Sequence, residues 1–228
     1  VLVFDAKTHT YRHPETGEAY ISTTTLIGKY KKPFDVEKHA ARVAERKGVT
    51  PEEIKAEWKE INEASKVYGT EKHTVLEQYL KEKTYDAKHE AFIKAYDELG
   101  IIQDSDQILV EERLYNHAYK LAGTADIIRK DTQGGFSVFD LKTNRNFSLS
   151  NQYGEYLLAP VSHMNASEYS VYALQLSIYA FMYHELTGLK LNQMGIFYYD
   201  RTINKFKYYP VPYLKAEVLD ILNHYASR

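Results

Sequence analysis

Ser137-Val-Phe-Asp140-Leu-Lys142-Thr143, read with Gly123-Thr-Ala-Asp126-Ile-Ile128 before it, decides the fold. Both stretches are short and rich in β-branched and aromatic residues. Lys130-Asp-Thr-Gln-Gly-Gly135 between them is turn chemistry, so the pair reads as a hairpin. Strand side chains alternate between faces, which puts Asp140 and Lys142 on one side and Phe139 and Leu141 on the other. A turn centred on Gln133 sets Asp126 opposite Asp140. Directly opposed positions have Cβ atoms about 4.5–5.5 Å apart, where two carboxylates repel. A cation is needed between them.

Lys142 supplies one. Two carboxylates converging beside a backbone carbonyl also suit a hard divalent ion such as magnesium, which takes waters and phosphate oxygens as its other ligands. Such a metal lowers the pKa of bound water and stabilises charge on phosphorus oxygens, leaving Lys142 to position the attacking water or help deprotonate it. That chemistry hydrolyses a phosphodiester. The bland alternative is a solvated ladder of surface ion pairs, since Asp-x-Lys alone arises by chance in many chains.

Outward from this hairpin, residues 1–21 predict another: an apolar run at 1–4, a second around Tyr11, the turn His13-Pro-Glu-Thr-Gly17, then Ala19-Tyr-Ile21. Residues 22–99 read as mostly helical. Ser22 to Thr25 offer N-caps, Pro33-Phe-Asp35 breaks and recaps, and Thr50-Pro-Glu-Glu53 starts again with acids at the positive dipole end. Beyond Gly100, strands are predicted over 108–114, 124–129 and 136–143. A long connection (144–170), a helix (171–186) stopped by Gly188, strands over 194–200 and 205–209, and a helix after Pro212 follow. Long polar connections tend to be functional. This order predicts an α/β fold with a central mixed sheet covered on both faces. The 228 residues suit one domain spanning 1–228, with an N-terminal hairpin (1–21), a helical region (22–99) and a sheet-containing core (100–228).

Composition sets limits. Hydrophobic residues at 44% and charged ones at 26% are ordinary for a soluble globular chain and exclude a disordered, collagen-like or coiled-coil one. With 29 basic residues against 31 acidic, no broad basic surface is expected, so a polyanion must be met locally. The lack of cysteine removes disulfides, thiol catalysis, thiolate zinc sites and iron-sulfur clusters. Val1-Leu-Val-Phe-Asp5 has no basic region before an apolar run, and no stretch approaches roughly 18 apolar residues. Neither secretion nor membrane spanning is expected, which favours the cytoplasm. The 21 tyrosines against one tryptophan are a surplus that needs a place.

Three more motifs bear on the site. Tyr68-Gly-Thr-Glu-Lys-His73 sets a histidine four residues after a glycine, Gln175-Leu-Ser-Ile-Tyr179 sets an amide and a phenol one helical turn apart, and Ile21-Ser-Thr-Thr-Thr25 is rich in hydroxyls. Together with Gly123-Thr-Ala-Asp126 and Asp140-Leu-Lys142-Thr143, in this order, they resemble the PD-(D/E)XK nuclease superfamily. The likeness is to its RecB-like exonuclease branch, which includes phage and mitochondrial genome-maintenance exonucleases, and runs from about residue 21 to 183. It implies the three-layer restriction-endonuclease-like core with a helical N-terminal region, DNA as substrate, and magnesium dependence with manganese substituting. It also implies that Asp126, Asp140 and the Leu141 carbonyl hold the metal, with His73 as a ligand or close to it, Lys142 acting on the water, and Gln175 and Tyr179 beside the phosphates. Several relatives carry a cysteine-ligated iron-sulfur cluster; this chain has no cysteine for one.

Two warrants disagree about the strand before Asp126. Alternation groups Glu112 with Ile108, Val110 and Leu114, facing the interior, whereas the resemblance favours Glu111 as the site acid. Gln175 and Tyr179 fall in a stripe with Tyr172, Met182 and Leu186, which alone reads as a core-facing helix with one odd glutamine. Basic residues interleaved with aromatics at Lys31, Lys32 and Arg145 suit phosphate contact with base stacking. The combined expectation is a magnesium-dependent DNA exonuclease leaving 5′-phosphate ends, serving recombination, repair or replication in a phage or bacterium, with a recombination or single-strand-annealing protein as partner. Its rivals are an endonuclease of the same fold, for restriction or junction cutting, and an inactive DNA-binding recombination subunit.

Overall fold

The structure, a computed structural model, describes residues 2–5, 10–103, 107–131 and 134–227. Three short strands, β1 (Val3–Asp5), β2 (Thr10–Arg12) and β3 (Ala19–Ser22), pair antiparallel in order. Helices α1 (Thr23–Gly28), α2 (Val36–Lys47) and α3 (Pro51–Glu82) follow, then a 3-10 turn (Ala87–His89) and α4 (Glu90–Asp97). The starts of α1, α2 and α3 are capped where the sequence signals it. Ser22 accepts from the Thr25 N–H, Asp35 from the Lys38 N–H, and Thr50 and Glu53 close a reciprocal capping box beside Pro51.

The sheet continues with an antiparallel meander, β4 (Gln107–Asn116), β5 (Leu121–Lys130) and β6 (Gly135–Lys142). Helix α5 (Glu168–Thr187) crosses over to β7 (Lys190–Asp200), which lies parallel to β6. Strand β8 (Lys205–Pro210) returns antiparallel, and α6 (Lys215–Ala226) follows it. Ile127 pairs with Phe139 and Lys130 with Phe136, so Asp126 and Asp140 are the next opposed positions, as a turn centred on Gln133 predicts. Gln133 itself lies outside the described residues.

Strand β5 is where the sheet forks. Its whole length pairs with β4 along one edge. The other edge is shared: β3 takes Leu121 and Ala122 in parallel, and β6 takes 127–130 antiparallel. Residues 123–126 lie between these two partners. Gly123 sits at the fork because an added Cβ would fall 2.6 Å from Tyr179 and 2.8 Å from the Thr23 hydroxyl. Only glycine lets α1 and α5 close on β5 there.

Both faces of the sheet are covered. Phe136 and Val138 pack with residues of α1, α5 and α6. On the opposite face Phe139, Leu141 and Phe197 pack with Val75 and Leu76 of α3 and with Phe92, Ile93 and Tyr96 of α4. The result is the expected three-layer α/β fold, a mixed sheet flanked by helices and restriction-endonuclease-like. Burying a large apolar side chain contributes about 1.5–3 kcal/mol, so β6, buried from Gly135 to Leu141, is a rigid base for Asp140.

Two expectations about α5 change. It begins at Glu168 rather than 171, because the Ser167 hydroxyl caps it by accepting from the Ser170 N–H, so the preceding connection ends at 167. It also has no single core-facing stripe: Leu174, Ile178 and Tyr183 are all buried, while Leu186 is 52% exposed. Sandwiched between the sheet and other helices, it needs apolar residues on all sides. No described helix is long and apolar enough to cross a membrane.

Candidate active site

Asp126 stands in the fork. Its Oδ2 accepts a hydrogen bond from the Leu141 N–H at 2.8 Å, which ties β5 to β6 just where their pairing ends. Helix α3 brings in His73, whose Nδ1 lies 3.4 Å from the same oxygen and 3.9 Å from Glu111 Oε1. Burial works against a charge on this imidazole, but the Asp126, Glu111 and Asp140 carboxylates outweigh it and push His73 up to about 9.

Asp140, 1% exposed, lies beneath. Its Oδ2 is 2.5 Å from the Lys142 ammonium, the same-face pair that strand alternation predicts. Burial lifts Asp140 to about 6 against the pull of Lys142. Burial opposes the charge on Lys142 too, yet Asp140 and Asp126 hold it well above the usual lysine range, so it stays an ammonium. Gln175 Nε2 donates to the Tyr179 hydroxyl at 3.1 Å and reaches Asp140 Oδ1 at 3.5 Å. The glutamine that looked odd on an apolar helix thus has polar partners from both the helix and the sheet.

The Glu111 question resolves on backbone geometry. Glu111 has φ of 54°, left-handed and strained for a residue with a Cβ. Strand parity changes across it: Leu109 packs into the α5-side core and Ile108 into the opposite one, yet Leu114 is back on the α5 side. A strict period of two would put Leu114 with Ile108. The same kink turns Glu111 toward His73 and Asp126, which is why the alternation argument for Glu112 fails.

Leu141 lies beside the cluster: its side chain is buried, its N–H donates to Asp126, and it lines a small pocket with His73, Glu111 and Asp126. The expected basic residues lie apart from it. Arg145 is exposed just beyond Lys142, its carbonyl accepting from the Tyr198 hydroxyl at 3.3 Å. Lys31 and Lys32 are exposed between α1 and α2 and do not line the central cleft. Sequence reasoning missed two residues. The Tyr172 ring lies 4.4 Å from the Lys142 ammonium, a cation–π contact signalled only by its place one turn before Gln175. Glu168 accepts from Asn144 Nδ2 at 3.0 Å and the Ser148 N–H at 2.9 Å, pinning the turn after Lys142. No local pattern in the sequence marks it.

His73, Glu111 and Asp126 each offer a ligand atom, and all three atoms lie within 4.8 Å of one another. One imidazole and two carboxylates suit a divalent ion of the hard or borderline kind. Asp140 pairs with Lys142 beside that set. The cluster opens on a cleft of about 710 Å³ whose walls carry Ser22, Thr24, Thr70, Thr74 and Thr124 along with Phe4 and Tyr11.

Comparison with known proteins adds the following. No curated protein matches the chain. Among solved structures it is similar to the crystal structure of SSO0001, at 16% identity and a TM-score of 0.41, covering 91% of this chain and 74% of that one. It is also similar to a protein of Eubacterium rectale named as a candidate exonuclease, at 13% identity and a TM-score of 0.40, covering 88% of this chain and 68% of the other. The model of the PD-(D/E)XK nuclease superfamily matches residues 36–225, most of the chain, with β5, β6 and the cluster at their fork inside it. The protein therefore belongs to the PD-(D/E)XK nuclease superfamily.

Proposed function

We infer that the protein is a metal-dependent DNA exonuclease of the RecB-like kind, with magnesium as its ion and manganese able to replace it. The observation that carries this reading is one arrangement: ligand atoms of His73, Glu111 and Asp126 within 4.8 Å, beside the buried Asp140–Lys142 pair. His73, Glu111 and Asp126 would hold a divalent ion, which would supply charge to the phosphate oxygens and acidify a bound water. Lys142, beside Asp140, positions the attacking water or helps deprotonate it and stabilises charge on the phosphate. Asp140 aims the ammonium from below, and Gln175 steadies Asp140 from α5. Recombination, repair or replication in a phage or bacterium is the matching role, with one domain carrying the whole activity.

Linear and covalently closed circular DNA, incubated with and without magnesium, test this. Metal-dependent loss of linear DNA with the circle intact is the expected result. Cutting of the circle would favour the endonuclease rival, and no cutting in magnesium or manganese would favour the inactive DNA-binding one.

A further inference from the structure

A basic and aromatic motif lies outside the cleft. Gly28-Lys-Tyr-Lys-Lys-Pro-Phe34 joins α1 to α2, with Lys29, Lys31 and Lys32 exposed and Tyr30 buried among them. Tyr30 fixes the segment: its hydroxyl donates to the Ile221 carbonyl of α6 at 3.2 Å, and its carbonyl accepts from the Leu158 N–H at 2.7 Å. Lys29 rests 5.9 Å from the Tyr225 ring centre. The acids that follow are already engaged, since Asp35 accepts from the Lys38 N–H as the cap of α2 and Glu37 pairs with Lys55 at 3.0 Å. Two exposed rings flank Lys31 and Lys32. Phe34 is 62% exposed yet held in place, stacked on His39 at 4.5 Å and 15° with Trp58 at 6.1 Å. Tyr156, 50% exposed, stands two residues from the Leu158–Tyr30 bond. Helix α1 ties the motif to the site. Ser22 and Thr24 at its start line the cleft, and its six residues carry the chain about 9 Å to Lys29.

We propose that Lys31, Lys32, Phe34 and Tyr156 form an anchor for single-stranded DNA outside the cleft, gripping the part of the strand that the metal cluster does not hold. The inference rests on the nuclease reading and deepens it. Ammonium groups meet phosphates and release their counterions, while an aromatic face steadied by its neighbours takes an unpaired base of any sequence. A duplex keeps its bases stacked on one another and offers Phe34 no free face, so the anchor favours single strands. A grip of this local kind also suits a chain whose formal net charge is -2. The anchor touches no reacting atom, so its loss should fall on KM rather than on kcat.

Fluorescence anisotropy with a labelled single strand of about 16 nucleotides, in EDTA so that nothing is cut, reads the anchor directly. Lys31→Glu and Lys32→Glu should each weaken binding about tenfold. Lys31→Ala combined with Lys32→Ala should lower the slope of log affinity against log salt by about 1.4, or about 0.7 for each lost phosphate contact. Phe34→Ala should weaken single-strand binding about tenfold and leave duplex binding unchanged. Lys190→Glu makes the same charge change at the start of β7, the end of the strands opposite to Lys142, and should bind as wild type. In magnesium the Lys31 and Lys32 variants should raise KM on the same strand. Wild-type affinity and salt slope in those variants, an equal loss in Lys190→Glu, a Phe34→Ala effect as large on duplex as on single strands, or no binding by the wild type at low salt would each overturn the anchor. Failure to cut DNA in magnesium or manganese, with lysine-dependent binding intact, would overturn the nuclease reading alone.

Discussion

Replacing Lys142 with methionine keeps the side-chain length and removes only the charge. The ammonium lies 2.5 Å from Asp140 Oδ2, with the two side chains 17% and 2% exposed. At that separation and an effective dielectric of about 20 the gross attraction is about 6–7 kcal/mol, much of which desolvation of the two ions cancels. Removing one partner leaves the other charge buried alone, so Lys142→Met should destabilise the metal-free protein by about 3–5 kcal/mol. The pH dependence has a definite sign. Burial raises Asp140 to about 6 while Lys142 pulls it down, so the variant's carboxyl titrates higher still. A carboxyl whose folded pKa lies above its unfolded one destabilises the fold only when ionised. The deficit should therefore be small below about pH 4 and complete above the folded value. Asp140→Asn combined with Lys142→Met restores a neutral pair and should lie within about 1 kcal/mol of wild type. Urea denaturation of the wild type, Lys142→Met, Asp140→Asn and the double variant in EDTA at acid and alkaline pH measures this, with m-values confirming a two-state transition. Metal-dependent cleavage by Lys142→Met should also fall by about 10²–10³. A deficit under about 1 kcal/mol at pH 8, or single losses that simply add in the double variant, would refute the buried ion-pair argument.

Other perturbations probe separate links. Gly123→Ala puts a methyl 2.6 Å from Tyr179 and 2.8 Å from Thr23 and should cost about 1–3 kcal/mol, read as a lower Tm; an unchanged Tm would show that these side chains yield. Glu111→Asn, a residue tolerant of the left-handed region, should keep or raise the Tm while metal-dependent cleavage is lost, and a clear drop in Tm would contradict strain at φ of 54°. In EDTA, His73 raised to about 9 contributes stability that is complete below its ordinary 6.5 and lost as pH rises through 9, about 2 kcal/mol after allowing for its partial exposure. His73→Gln should flatten that decline, and an unaltered profile would place the titration elsewhere.

Much of this was legible along the chain. The caps at Ser22, Asp35 and Thr50 are local chemistry, and each helix starts where its cap says. The opposition of Asp126 and Asp140 follows from turn length and the strand period alone. Where reading along the chain misled, a long-range contact was the cause. The period of two failed at Glu111 because a single left-handed residue rotates everything after it, and nothing local announces a strained φ in a run such as Val-Glu-Glu-Arg. The tyrosine surplus goes largely into packing. Tyr172, Tyr198 and Tyr209 surround Phe147 and fasten the turn beyond Lys142, while Tyr153 and Tyr156 of the long connection are half or more exposed.

The sequence by itself determined the order of elements, the faces of β6 and the residue types that bear the chemistry, since alternation, capping and turn preference act over a few residues. Only the tertiary structure decided that β5 forks between β3 and β6, that α3 delivers His73 into that fork, and that the backbone kink turns Glu111 toward His73 and Asp126. Asp140 pairs with Lys142, two residues along its own strand, because a buried carboxylate with no cation beside it is costly.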